Sequence, residues 1–119
     1  MKTGRKKTGG KYQASRKKKM YEKPGQRRIT KLGDDKRKSK KVMGGKRKVF
    51  LLKSKLVNIQ ENGKTVKVEI KNVLETPSNR FFARQNILTK GTIIETSKGK
   101  VRITNRPTQE GMVNGILVK

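Results

Sequence analysis

The chain has 119 residues, with 34 Lys and Arg against 8 Asp and Glu and no His, so its formal charge of +26 is fixed near neutral pH. Self-repulsion on this scale disfavours a compact isolated state and favours a polyanionic partner, of which nucleic acid is the leading kind. The absence of Cys and His excludes disulfides, thiolate metal sites and the commonest catalytic bases.

The longest apolar run, residues 49–52, is far short of the roughly 20 residues that cross a bilayer. The N-terminus lacks the apolar core of a signal peptide, and the reading is a soluble, intracellular protein with no membrane partner. Charge divides the chain at residue 48: 21 Lys and Arg against three acids before it, 13 against five after it. Leu, Ile, Val and Phe divide in the opposite sense, with only Ile29, Leu32 and Val42 in the first part. Residues 1–48 therefore have the composition of a chain that orders only on a partner, while residues 49–119 can fold as a small domain.

In the first part, "KYQASRKKKMYEK" (11–23) has room for a helical turn or two before Pro24-Gly25 ends it, and scattered glycines predict extended backbone elsewhere. Three residue types point to RNA contact: Gly lets backbone approach a phosphate, Arg grips phosphate bidentately, and Tyr offers a plane for an unstacked base. The candidates come in blocks. Arg5, Lys6, Lys7, Gly9, Gly10, Lys11 and Tyr12 lead, followed by Arg16, Lys17, Lys18, Lys19 and Tyr21. Arg27, Arg28 and Lys31 stand next, then Lys36, Arg37, Lys38, Lys40 and Lys41. Gly44, Gly45, Lys46, Arg47 and Lys48 complete the arm, the two glycines turning the backbone close to a phosphate where it leaves the folded domain. Fully extended, such an arm reaches roughly 150 Å at ~3.3 Å per residue. Asp34-Asp35, inside it, moderates local charge or pairs with Lys36 and Arg37.

Beyond residue 48 the pattern is of short β-runs between turns. "VFLLKSKLVNIQ" (49–60) reads as one long strand, joined by Asn62-Gly63 to "TVKVEIK" (65–71), where Val66, Val68 and Ile70 alternate with Lys67 and Glu69. In "SNRFFARQNILTKG" (78–91), Arg80, Arg84 and Lys90 surround Phe81 and Phe82, which fill or close the core while the cations add an RNA contact. "ILTKGTII" (87–94) bends at Lys90-Gly91, Lys98-Gly99 turns a second hairpin in "TIIETSKGKVRIT" (92–104), and "MVNGILVK" (112–119) follows the turn-like "RPTQEG" (106–111). About six strands and almost no helix predict a mainly β fold, a small antiparallel barrel or sandwich without exposed edges.

Catalysis has no instrument here. "GRKKTGGKY" (4–12) fails as a phosphate-binding loop because Tyr follows Lys11 and no strand precedes it. No catalytic residue, metal site, cofactor or small-molecule substrate is assigned. A chromatin-like protein coating DNA remains an alternative on charge alone, although no recognition helix or zinc-finger spacing is visible.

The order of these features resembles the ribosomal protein S8e family of the archaeal and eukaryotic small subunit. "TGGKY" (8–12), "SRKKKMYE" (15–22), "TKLGDDKRK" (30–38) and "GGKRKVFLL" (44–52) carry the resemblance, with "RQNILTKGTIIET" (84–96) and "VRITNRPTQEGMVNGIL" (101–117) its most specific blocks. It implies a six-stranded antiparallel β-barrel preceded by a basic extension winding among small-subunit rRNA helices. It also implies ribosomal-protein neighbours, a cytoplasmic place in the ribosome and no catalytic role. Lys46 departs from the Asn usual after the two glycines, which puts a phosphate contact there in place of an amide one. Missing eukaryotic insertions point to the archaeal form, and a related domain in ribosome-assembly factors leaves an assembly role as an alternative.

Overall fold

The alternating run at residues 65–71 lies within the longest strand of the computed structural model, which describes residues 4–12, 16–61 and 63–118. That strand, β5 (Lys64–Glu75), pairs antiparallel with β4 (Leu56–Glu61), placing Val57 opposite Val68 and Ile59 opposite Val66. The turn between them was expected at Asn62-Gly63; Asn62 lies outside the described residues, and Gly63 has φ +76°. β6 (Ile93–Thr96), β7 (Gly99–Ile103) and β8 (Asn114–Leu117) follow as successive antiparallel neighbours. The second hairpin turns one residue earlier than expected, at Ser97-Lys98, because Thr96 pairs with Gly99 and its hydroxyl donates to the Gly99 carbonyl at 2.9 Å.

In place of six antiparallel strands, five strands close the barrel, in the order β4-β5-β6-β7-β8. The odd number dictates the closure. Four antiparallel steps leave the fifth strand pointing the same way as the first, so β8 meets β4 in parallel, Asn58 opposite Asn114 and Ile59 opposite Gly115. Asn58 Nδ2 donates to Asn114 Oδ1 at 3.0 Å across this seam, and Asn58 N–H to the Val113 carbonyl at 2.9 Å. The interior is aliphatic: Val57, Ile59, Val68, Ile70, Val73, Leu88, Ile94, Val101, Ile103 and Val113 pack with Leu51 into one core.

Of the expected strands, the one before the Lys90-Gly91 bend does not form, Ile87 making only an isolated bridge to Lys31, whereas the run at 49–60 is divided in two. The chain breaks at Lys55: β3 (Arg47–Ser54) joins a separate sheet, ordered β1-β3-β2, with β1 (Lys31–Leu32) parallel and β2 (Lys36–Lys41) antiparallel to it. Asp35 fixes the break. Its Oδ1 accepts the Ser54 hydroxyl at 2.8 Å and the Lys55 N–H at 3.2 Å, while Arg37 lies 3.8 Å from Oδ2. The compositional change at residue 48 thus falls inside β3, and strands from both sides of it share one sheet.

Two one-turn helices complete the body, α1 (Phe81–Arg84) and α2 (Pro107–Glu110). Neither phenylalanine of α1 enters the core: Phe81 is exposed and Phe82 half-buried beside it. All described residues from 4 to 29 are exposed. The radius of gyration is 21.0 Å, against about 13.5 Å for a compact chain of this length. Much of the first part therefore stands away from the barrel.

Gly115 sits where β8 enters between β7 and β4, and a Cβ there would collide with Val101 Cγ1 and the Arg102 carbonyl. Gly115→Ala is expected to destabilise the barrel by about 1–3 kcal/mol through overpacking. Thermal unfolding followed by circular dichroism checks this, with a melting point equal to wild type as the contrary result.

Candidate nucleic-acid interface

The candidate residues fall into three regions. In the first, residues 5–11 close a small turn: Arg5 and Lys11 form an antiparallel bridge, Lys6 N–H donates to the Gly10 carbonyl and Gly9 N–H to the Lys6 carbonyl, both at 2.9 Å. Lys6, Lys7 and Lys11 stand in solvent around it. Tyr12 is 44% exposed with Lys6 Nζ 6.0 Å from its ring centre, and Tyr21 is 77% exposed with Lys19 Nζ 5.9 Å from its own. The Tyr21 ring, the more exposed of the two, is accessible for stacking.

Arg16 is engaged within the chain. Its guanidinium forks onto the Glu22 carboxylate at 2.6 and 2.8 Å, and the Lys19 N–H donates to the same group at 3.1 Å around a 3₁₀ turn at Met20–Glu22. The Arg16 fork, then the Lys19 amide, hold the Glu22 carboxyl below its ordinary range; Glu22 in turn raises Arg16. Lys17 and Lys18 between them are exposed.

The second region is where residues 27–32 lie along the body. The Leu32 N–H donates to the Asn86 carbonyl at 2.9 Å and the Leu88 N–H to the Thr30 carbonyl at 2.8 Å, with Lys31 bridged to Ile87. Thr30, fully buried, donates its hydroxyl to the Leu51 carbonyl at 2.9 Å. The Arg28 guanidinium stacks over Phe50, 3.7 Å from the ring centre. This docking brings Arg27 and Arg28 beside Lys90, which no local pattern signals, whereas Arg80, just before α1, and Arg84, at its end, are exposed.

The third region is the β2–β3 ribbon. Opposite residues of an antiparallel pair share a face. Lys38, Lys40 and Lys48 therefore share a face with Phe50 and the Arg28 stacked on it, while Arg37, Lys41 and Arg47 line the other. Lys36 is opposite Lys53, Lys40 opposite Lys48, and Lys41 opposite Arg47. Lys31 is also opposite Lys53, from β1. Among the described residues none of these six lysines and Arg47 has an acidic partner. Lys53 and Arg106 are absent from the candidates read from sequence. Lys53 betrays itself only as a cation interrupting an apolar run, and Arg106 as the residue before Pro107.

Gly44 and Gly45 make the turn of this ribbon at φ +78° and +73°, and the Val42 N–H donates to the Lys46 carbonyl at 2.8 Å. A Cβ on either would meet open space, so the demand is on backbone conformation alone. Among the described residues there is no cluster of His, Cys, Asp or Glu that could hold a metal, and no helix long and apolar enough to cross a membrane.

Fold and surface together are those of a small, strongly cationic β-barrel protein. The chain belongs to the ribosomal protein S8e family, which it matches over residues 1–118. It is 46% identical over 114 residues to the small ribosomal subunit protein eS8 of Nanoarchaeum equitans, covering 94% of this chain and 90% of that protein. To the protein of the same name from Methanocella arvoryzae it is 44% identical, covering 98% of this chain and 95% of the relative. For Haloarcula marismortui the identity is 41%, covering 97% and 94%. Membership of a family of ribosomal proteins sets the chain apart from enzymes.

Two predictions follow from this geometry. Replacing Gly44 and Gly45 together by Val is expected to cost about 1–2 kcal/mol per position in the left-handed region, erasing hydrogen-exchange protection of the β2 amides, whereas Asn at both positions keeps it. Because the Glu22 carboxyl is held low, its contact with Arg16 is complete above the ordinary carboxylate range and is lost as pH falls through the lowered value. A carbon-detected titration should find Glu22 below the ordinary carboxylate range, and Arg16→Gln should raise it toward that range.

Proposed function

We propose that the chain is a structural constituent of the small ribosomal subunit, cytoplasmic within the ribosome, that binds and stabilises folded rRNA beside neighbouring ribosomal proteins. Residues 1–48 act as a basic RNA-binding extension whose Lys and Arg neutralise packed phosphates, and the barrel anchors it. The observation that carries this reading is the run of like-charge pairs across β2 and β3. Directly opposed like charges destabilise a strand pair, by a few tenths to ~1 kcal/mol each, and an anion lying on the ribbon reverses the sign. The relatives named as small-subunit proteins support the same reading. RNA is favoured over duplex DNA because the relatives are named as small ribosomal subunit proteins and the described helices, of at most four residues, supply no recognition helix.

Neutralising six to ten phosphates lowers affinity for small-subunit rRNA by ~10³–10⁵ between 50 and 200 mM salt. A chain lacking residues 1–26 keeps every barrel strand and the ribbon but loses ten Lys and Arg. Its salt dependence should be markedly shallower; an unchanged slope would remove the arm from the mechanism. In hydrogen exchange, the β2 amides should gain protection on adding rRNA, and a smaller gain should follow from added salt alone. Duplex DNA outcompeting rRNA at equal nucleotide concentration would favour an architectural DNA-binding role, and absence from mature small subunits in a low-salt sucrose gradient would favour an assembly factor.

A further inference from the structure

Where residues 27–30 lie over the loop of residues 86–90 and α2, they leave a cavity of about 410 Å³. Its apolar lining is Ile29, Phe82, Ile87, Leu88 and Pro107, the last three buried. Arg27, Arg28, Lys90 and Arg106, all exposed, stand around it, and no acidic residue lines it. Arg28 is held by its stack on Phe50; the side chains of Arg27, Lys90 and Arg106 have no hydrogen-bond or ion-pair partner among the described residues.

We propose that this cavity receives one unstacked nucleobase of the bound rRNA, with the phosphates on either side of it held by Arg27, Lys90 and Arg106. The proposal rests on the rRNA-binding reading and adds to it a site that reads a base, not only the backbone. The chemistry of the lining selects the occupant. A phosphate alone satisfies the cations and leaves the apolar floor unused, whereas an apolar side chain fills the floor and leaves four cations without counter-charge. A nucleotide carries a π-face and an anion together, and the volume lies at the small end of the ~300–1,000 Å³ typical of small-molecule sites. Single-stranded bases splayed into apolar or aromatic clefts are the usual form of base recognition in RNA.

The test has two arms. Full-length protein with labelled methyl groups is titrated with each of the four nucleoside 5′-monophosphates, and separately with inorganic phosphate and N-acetyl-tryptophanamide. The Ile87 and Leu88 methyls should shift with at least one nucleotide and with neither control; equal shifts with phosphate, larger shifts with the tryptophan amide, or none with any nucleotide would overturn the site. In the second arm, affinity for protein-free small-subunit rRNA is measured against salt. Ser78 is exposed and lines the cavity, so Ser78→Trp obstructs it without removing a charge. It should weaken binding about five- to 150-fold, the range of one stacked base, with the salt slope unchanged, while Arg106→Gln lowers the slope by about one. Steeply salt-dependent binding with Ser78→Trp equal to wild type sinks the base site alone. Wild-type binding indifferent to salt sinks the underlying rRNA reading.

Discussion

One carboxylate sets the architecture. By accepting the Ser54 hydroxyl and the Lys55 N–H, Asp35 ends one strand and frees the next to enter a different sheet. Without that break, residues 49–60 would extend as a single strand, and β3 could not leave the barrel to pair with β1 and β2. The five-stranded closure, its parallel seam at β4 and β8 and the basic ribbon all follow from where the chain turns away at Lys55. A carboxylate suits the task because its two oxygens accept several donors at once and its charge is offset locally by Arg37.

The ribbon and the barrel are stabilised by different means. Barrel strands are held by a continuous aliphatic core, and their inward positions are almost wholly buried. β2 buries no side chain at all: each of its six residues is exposed, and backbone pairing with β3 holds it in place, helped at its start by the contacts of Asp35. A strand so held carries its cations at regular spacing on both faces. Its edge, studded with lysine, also resists pairing with a second copy of the chain, since lysines on an open edge repel another such edge. The same charges that weaken the free ribbon protect it from association.

The barrel strands were largely legible because each carries its own alternation. Val66, Val68 and Ile70 in β5, and Val101 and Ile103 in β7, face inward as period-two reading requires. The split of residues 49–60 was not legible, since β-type residues run through Ser54 without interruption and the group that divides them lies some twenty positions earlier in the sequence. β2 was equally hidden, because "KRKSKK" has no apolar period and its strand form comes from a partner's backbone. Of the candidate interface, the turn at Gly44-Gly45 could be read from glycine alone. The approach of Arg27 and Arg28 to Lys90 and Arg106 depends on backbone bonds between residues 30–32 and 86–88, a long-range pairing with no local signature.

The parallel seam also bears on the order of events during synthesis. Asn58 and Asn114 meet across 56 positions of sequence, and β8 follows every other strand. The barrel therefore closes only after nearly all of its sequence has emerged, and a large loop must be drawn in before the last contacts stabilise it. Throughout that interval the most cationic part of the chain is already exposed beside an open sheet. Premature capture by a passing polyanion is then a kinetic hazard intrinsic to this topology, and speed of closure becomes as much a requirement on the nascent chain as stability is on the finished fold.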